Sequence, residues 1–253
     1  MRKGSQKIKI EKDALEQLLI DGHSICNIGK LLNVHRVTVG NYIKKYKINK
    51  KALQFNENFF ESIDSEDKAY WLGFIMADGC VSMTHSPKVV IKLAAKDRSH
   101  LIKWHKAINS CLKICDLTIG VHSQHYSRKM CNDLINLGCT PRKSNTLIFP
   151  KINTNLLNHL ARGYFDGDGC ASITKKKQLK ISFVGTEQFL SSLQSILGTK
   201  NKLRPTGTNK TARVLEFHGN KKARSISDWL YADATIYLKR KKDVCHSDLR
   251  ICL

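Results

Sequence analysis

YWLGFIMADGC (residues 70–80) and LARGYFDGDGC (residues 160–170) tell one event twice: an apolar run of helical character stops at an acidic residue followed by glycine and cysteine. An aspartate at the C-terminal end of a helix is electrostatically misplaced, because the unpaired carbonyls there already carry partial negative charge. Each run also places small residues one turn apart, Gly73 and Ala77 in the first, Gly163 and Gly167 in the second. A glycine inside a helix costs about 1 kcal/mol relative to alanine, so a stripe of them implies close approach of another backbone. The natural partner for each helix is the other copy. Packed stripe to stripe, the two helices bring Asp78 and Asp168 out side by side, where their charges repel unless they share a divalent cation. Oxygen-only ligation with few protein groups suits Mg²⁺, with Mn²⁺ or Ca²⁺ as substitutes in binding. A metal between paired carboxylates and a phosphate points to phosphodiester hydrolysis.

The repetition continues beyond the helices. VSMTH and ASITK follow the two Asp-Gly-Cys triplets, and each is followed by a second alternating segment, KVVIKL (88–93) and QLKISF (178–183). A period of two puts Val89, Ile91 and Leu93, and likewise Leu179, Ile181 and Phe183, on a core face. The opposite face receives Lys88, Val90 and Lys92 in the first half and Gln178, Lys180 and Ser182 in the second, with Ser82, Thr84, Ser172 and Thr174 from the preceding strands. Such side chains suit base edges and phosphates. Matching helices (KDRSHLIKWHKAI, TEQFLSSLQSIL), further strands around DLTIGV and ARVLEFH, and closing helices (SRKMCNDLINLG, KKARSISDWLYA) complete the order helix, two strands, helix, two strands, helix, in duplicate. The fold class is α+β, with two pseudo-symmetric halves over residues 66–152 and 153–253.

Residues 1–46 read differently. Three short helical patterns are separated by turn signals: a first face of Ala14, Leu15, Leu18 and Leu19 ended by Gly22, a second helix capped by Ser24 through Ile25, Ile28 and Leu31 to a turn at Asn33, and a third from about Arg36 to Tyr46 that buries Val37 with Tyr42 or Ile43. That spacing is a helix-turn-helix, a small all-α unit whose third helix offers Arg36, Thr38, Asn41, Lys44 and Lys45 to DNA. A plain helical bundle with a solvated basic face is the competing reading. Residues 47–65 form a linker in which Phe55, Phe59 and Phe60 pack down on a neighbour.

Composition agrees with a polyanionic partner. The 253 residues carry 43 Lys+Arg against 21 Asp+Glu, a net charge of +22, and neutralising phosphates with such an excess gives strong, salt-sensitive binding. Double-stranded DNA is the expected partner, an anionic membrane surface being the rival for such a charge; no stretch approaches a spanning length, and no membrane partner is expected. Nine cysteines without a repeating frame fit reduced thiols in a cytoplasm or an equivalent reducing compartment of a host cell. Cys111, Cys115, His122 and His125 imitate a zinc set, but their spacing is short and DLTIGV between them reads as a strand, so no zinc is expected.

WLGFIMADG (71–79) and ARGYFDGDG (161–169) resemble the signature motif of LAGLIDADG homing endonucleases, and the likeness runs over about residues 60–253 through IDSEDKAYWLGF, LINLGCTPRKSNTLIFP and LYADATIYLKRKK. The resemblance implies two αββαββα halves whose motif helices form the central interface, and two curved sheets forming a saddle over the DNA major groove. It implies metal at Asp78 and Asp168, beside the backbone of Ala77 and Gly167. The sixth motif position, often acidic, is Met76 in one copy and Asp166 in the other; Asp166 is expected to cap or to face solvent. The family also places a basic residue near each scissile phosphate, which here implies Lys143 and Lys241, with Lys239, Arg240 and Lys242 as substitutes for the latter and simple phosphate gripping as the alternative role. A free-standing, monomeric, Mg²⁺-dependent DNA endonuclease is the expected function. The alternatives are a DNA-binding regulator without cleavage and an RNA-splicing maturase on the same fold.

Overall fold

The computed structural model describes residues 9–21, 23–48, 54–206 and 209–247; Gly22, part of the linker and both chain ends lie outside the described residues. The chain divides into two units: residues 1–57 with 105–113, and residues 58–104 with 114–253.

In the first unit α1 (Lys12–Ile20), α2 (Ile25–Leu31) and α3 (Arg36–Lys45) surround Leu15, Leu19, Ile28, Val39 and Ile43. The Ser24 hydroxyl accepts from Asn27 N at 3.2 Å and caps α2. The turn that follows passes through Asn33 at φ 51°, and a side chain at Gly29 would meet the Val34 carbonyl oxygen at 2.8 Å, so Gly29 is there because two backbones cross tightly. Two sequence expectations need correction. Val37 is 56% exposed, because the core side of α3 is set by Val39 and Ile43, one turn apart, and Leu31, the last residue of α2, is 58% exposed.

Apart from residues 105–107 at the end of one helix, which fall in the first unit, the second unit carries the duplication. Its first half runs α4 (Glu66–Asp78), β1 (Gly79–Ser82), β2 (Lys88–Leu93), α5 (Arg98–Ala107), β3 (Cys115–Leu117), β4 (Gly120–His125) and α6 (Arg128–Asn136). The second runs α7 (Leu157–Asp168), β5 (Gly169–Ile173), β6 (Leu179–Thr186), α8 (Glu187–Ile196), β7 (Arg204–Thr206), β8 (Asn209–His218) and α9 (Asn220–Tyr231), then a further helix, α10 (Lys239–Cys245). Each half builds a four-stranded antiparallel sheet, in the orders β1-β2-β4-β3 and β5-β6-β8-β7. The same order in both halves is the structural trace of the sequence repeat. DLTIGV is not one strand: β3 ends at Leu117, Thr118 and Ile119 turn, and β4 begins at Gly120, whose φ of 146° favours glycine. His122 and His125 then fall on opposite faces of β4.

α4 and α7 form the centre. A Cβ on Gly73 would overlap the carbonyl oxygen of Leu160, and one on Gly163 would overlap that of Tyr70. Residues 70, 73 and 77 thus meet 160, 163 and 167 about a local two-fold relation, which is why the stripes must be small. Around the crossing, Tyr70, Trp71, Phe74, Leu160, Tyr164 and Phe165 are buried.

A buried polar network ties this interface to the end of the chain. Arg162, fully buried, donates through Nε to the Ile236 carbonyl and through Nη1 to the Leu230 carbonyl, both at 2.9 Å, and pairs with Glu66. Glu66 also accepts from Thr235 N and Oγ1, each at 2.8 Å. Burial pushes the Glu66 carboxyl up, but the Thr235 and Ile236 hydrogen bonds and the Arg162 charge together bring it below 4.5. Its stabilisation is therefore complete above the unfolded value and lost as pH falls through the lower folded value. Glu66→Ala leaves a buried guanidinium unpaired, so it is expected to cost about 3–5 kcal/mol, measured by urea denaturation at neutral pH, with a smaller difference from wild type in acid.

Candidate active site

Both motif helices run directly into a strand, with Gly79 and Gly169 as C-caps in extended conformation. A Cβ on Gly167 would collide with that of Ala77, so the helices are still in contact at their last turn and Asp78 and Asp168 leave it as neighbours. Both aspartates are exposed to solvent, at the ends of helices whose preceding turns are buried. Burial raises both above the ordinary carboxylate value; the charge of Asp168 raises Asp78 further, and Lys143 and Lys241 act on both in the opposite direction. The four residues expected to do chemistry are thereby brought together.

The two lysines occupy equivalent posts with unequal surroundings. Lys143 lies in the loop after α6, partly exposed, and donates to the carbonyl of Gly79. Lys241 projects from α10 and is 6% exposed. It donates to the carbonyls of Phe165, Asp166, Gly167 and Gly169 at 2.7, 2.8, 2.9 and 2.6 Å. Burial brings its ammonium down to about 8, against the charge of Asp166, which raises it. The positive group required to balance an acidic helix end is thus present at both ends. Of the substitutes, Arg240 pairs with Asp97 at 3.2 Å, Lys239 with Asp243 at 2.6 Å, and Lys242 lies 3.8 Å over the Tyr237 ring.

Asp166 corrects an expectation. Instead of capping or facing solvent it is 1% exposed, accepting from Tyr70 Oη at 2.8 Å, Leu238 N at 2.7 Å and Tyr231 Oη at 3.4 Å. Burial raises its carboxyl to about 6 despite those donors. Its role is to fasten α7 to α4 and to the Leu238 backbone.

Two adjacent carboxylates, both raised above their usual range by burial, are the oxygen donors the site offers a hard divalent cation; among the described residues no group of three or more His, Cys, Asp or Glu forms there. The Ala77 carbonyl receives no side-chain donor among the described residues. The Gly167 carbonyl, its counterpart, is taken by Lys241.

Beside Asp78, one face of the first sheet gathers Ser82, Lys88, Val90, Lys92, His122 and Gln124 into a concavity. Val90 is 8% exposed, more enclosed than an open reading position, and Thr84 lies beyond the end of β1, its hydroxyl 3.3 Å from that of Ser82. His122 and Gln124 were absent from the sequence-derived set; their ring and amide nitrogens lie 2.7 Å apart, and alternation along GVHSQH with Val121 inward is the signal that identifies them. In the second sheet Ser172 and Ser182 share a face with Lys180 by register, while Thr174 and Gln178 sit in the turn between β5 and β6. Lys180 is engaged by Glu216 at 2.6 Å, and Arg204 and His218 lie near the same carboxylate. Glu216 and His218 were also missed, though the inward Leu215 and Phe217 of ARVLEFH imply them. In the first unit Arg36, Asn41, Lys44 and Lys45 are exposed and Thr38 is half-buried.

No protein-family model matches the chain, and no curated relative matches it. Solved structures do. The LAGLIDADG homing endonuclease I-GzeII in complex with DNA target has 13% identity, covering 70% of this chain and 87% of its own, with a TM-score of 0.49. I-SmaMI bound to cleaved DNA has 12% identity over 72% and 87%, with a TM-score of 0.49; I-SmaMI bound to uncleaved DNA in the presence of calcium ions has 11% over 66% and 85%, with a TM-score of 0.45. Likeness at this level carries nothing about chemistry, which rests on the groups described above: a duplicated α+β unit whose two acidic helix ends meet between two ammonium groups.

Proposed function

We propose that the chain hydrolyses phosphodiester bonds in both strands of duplex DNA at a specific site. The observation that carries this reading is the convergence of Asp78 and Asp168, each with a lysine on the carbonyl of the following glycine, next to a polar sheet face. A divalent cation held by the two carboxylates would polarise a phosphate oxygen and lower the pKa of a water. The chain's own groups do the rest. The carboxylates would hold that cation, Lys143 faces the charge that develops on the phosphate, and Ser82, Lys88, Lys92, His122 and Gln124 present donors and acceptors suited to a major groove. Lys180 and Glu216 do so on the second sheet, where their ion pair fixes both side chains; Ser182, only 6% exposed, is too enclosed for the reading position expected of it. The deciding experiment is selection of cleaved sequences from a randomised DNA pool with Mg²⁺. Recovery of one consensus cut in both strands supports the reading; tight binding without cutting, or preference for structured RNA, refutes it.

In the same proposal the first unit adds a second DNA contact through α3. Val37, Gly40, Asn41 and Lys44 form a stripe at helical spacing on the side away from Val39 and Ile43. A Cβ on Gly40 would meet nothing within 4 Å, so packing within the chain does not require glycine there. Close approach to a groove does. Gly40→Ala is expected to stabilise the helix by roughly 1 kcal/mol and still to weaken DNA binding, measured by mobility shift at fixed salt. Unchanged affinity would show that α3 stays out of the groove.

A further inference from the structure

The two half-sites offer the carboxylate pair ammonium groups of different freedom. An ammonium has three protons, and those of Lys241 are shared among four carbonyls of the last turn of α7 and its cap. These are the groups a helix end leaves without partners, so Lys241 cannot swing toward a phosphate without abandoning them in a nearly dry environment. Lys143, partly exposed, has a single carbonyl, that of Gly79, and so gives up one hydrogen bond against four on turning toward a phosphate oxygen. The backbone repeats the inequality. In the first half Ala77's carbonyl is free of side-chain donors among the described residues and the thiol of Cys139 lies 3.9 Å from the Ile75 carbonyl, whereas in the second half the carbonyls of Phe165 and Gly167 at the matching posts both belong to Lys241.

Resting on the hydrolytic reading above, we propose that the half-sites are chemically unequal. Lys143 is the mobile ammonium that meets a scissile phosphate, Lys241 is a fixed cap that positions Asp168, and the strand served by Lys143 is cut first, so a strand-specific nick precedes the double-strand break. The covalent step is the same in each strand: a water oxygen bonds to phosphorus, one deoxyribose oxygen leaves and takes up a proton, and the proton lost by the water passes to solvent. The strands differ in the group that meets the negative charge while this happens.

The test uses the full chain with Mg²⁺ on a supercoiled plasmid carrying a sequence recovered by the selection, and on the same duplex labelled separately at each strand end. Wild type should accumulate nicked circles cut in one strand, with the other strand at least about tenfold slower. Lys143→Gln, at a partly exposed position that leaves the fold intact, should slow the fast strand so that the ratio between strands falls toward one, and Lys143→Arg should restore part of it. Lys241→Gln should instead lower the thermal midpoint. Equal strand rates in wild type, or a ratio that Lys143→Gln leaves unchanged or widens, overturns the inequality alone; absence of cutting in either strand removes the hydrolytic reading and this inference with it.

Discussion

Asp78→Asn and Asp168→Asn, made separately, are each expected to depress strand cleavage by at least about a thousandfold, or about 4 kcal/mol of barrier, while target binding stays within a few-fold. The same substitutions should raise the thermal midpoint in metal-free buffer. The sign follows from the raised carboxyl values. A group that titrates higher in the folded chain than in the unfolded one binds extra protons on folding, so stability declines as pH rises from the unfolded value of 3.8 through the raised folded value. At neutral pH both aspartates are therefore a standing cost to the fold, and an amide removes it. Calorimetry with and without Mg²⁺ gives the complementary result: added metal should raise the wild-type midpoint and leave that of a chain carrying both Asp78→Asn and Asp168→Asn unchanged. A variant that cuts normally, or one that is destabilised without metal, would show that these carboxylates serve the fold and not the reaction.

Gly163→Ala, and equally Gly73→Ala, should cost at least about 3 kcal/mol, the upper end for overpacking a core. Each new methyl group would overlap a backbone carbonyl oxygen of the opposite helix, and a carbonyl cannot rotate aside as a side chain does. The helices would have to separate, and with them Asp78 and Asp168. Loss of cleavage should therefore track loss of folded protein in these variants, read by circular dichroism, unlike the folded but inactive Asp→Asn chains. Gly40→Ala, with open space around it, should move stability the other way. The contrast separates glycines that packing demands from one that it does not.

The duplicated architecture was legible because its signals are local. Apolar periodicity marked α4 and α7, alternation marked β2 and β6 with the correct inward sets Val89–Ile91 and Leu179–Ile181–Phe183, and the glycine stripes named their own contact. The helical unit was legible through Ser24 and Asn33, which cap and turn by their own side chain or backbone preference. Val37 was misjudged because a single β-branched residue on a short helix does not say which of two neighbouring faces is covered. DLTIGV was misjudged because a two-residue turn at Thr118–Ile119 carries none of the usual turn residues until Gly120.

Residue types and spacing by themselves determined that two acidic helix ends meet across small residues and that strands with one polar face follow each, since both depend only on contacts within a turn or a pleat. Tertiary structure alone decided the fates of like residues. Asp166 is sealed beneath Tyr70, Tyr231 and the Leu238 backbone while Asp168, two positions on, reaches solvent. Lys241 is spent on four carbonyls while Lys143 keeps one. Those partners lie more than sixty positions away along the chain, and no periodicity in a sequence reports which distant backbone will close over a charge and fix the group that bears it.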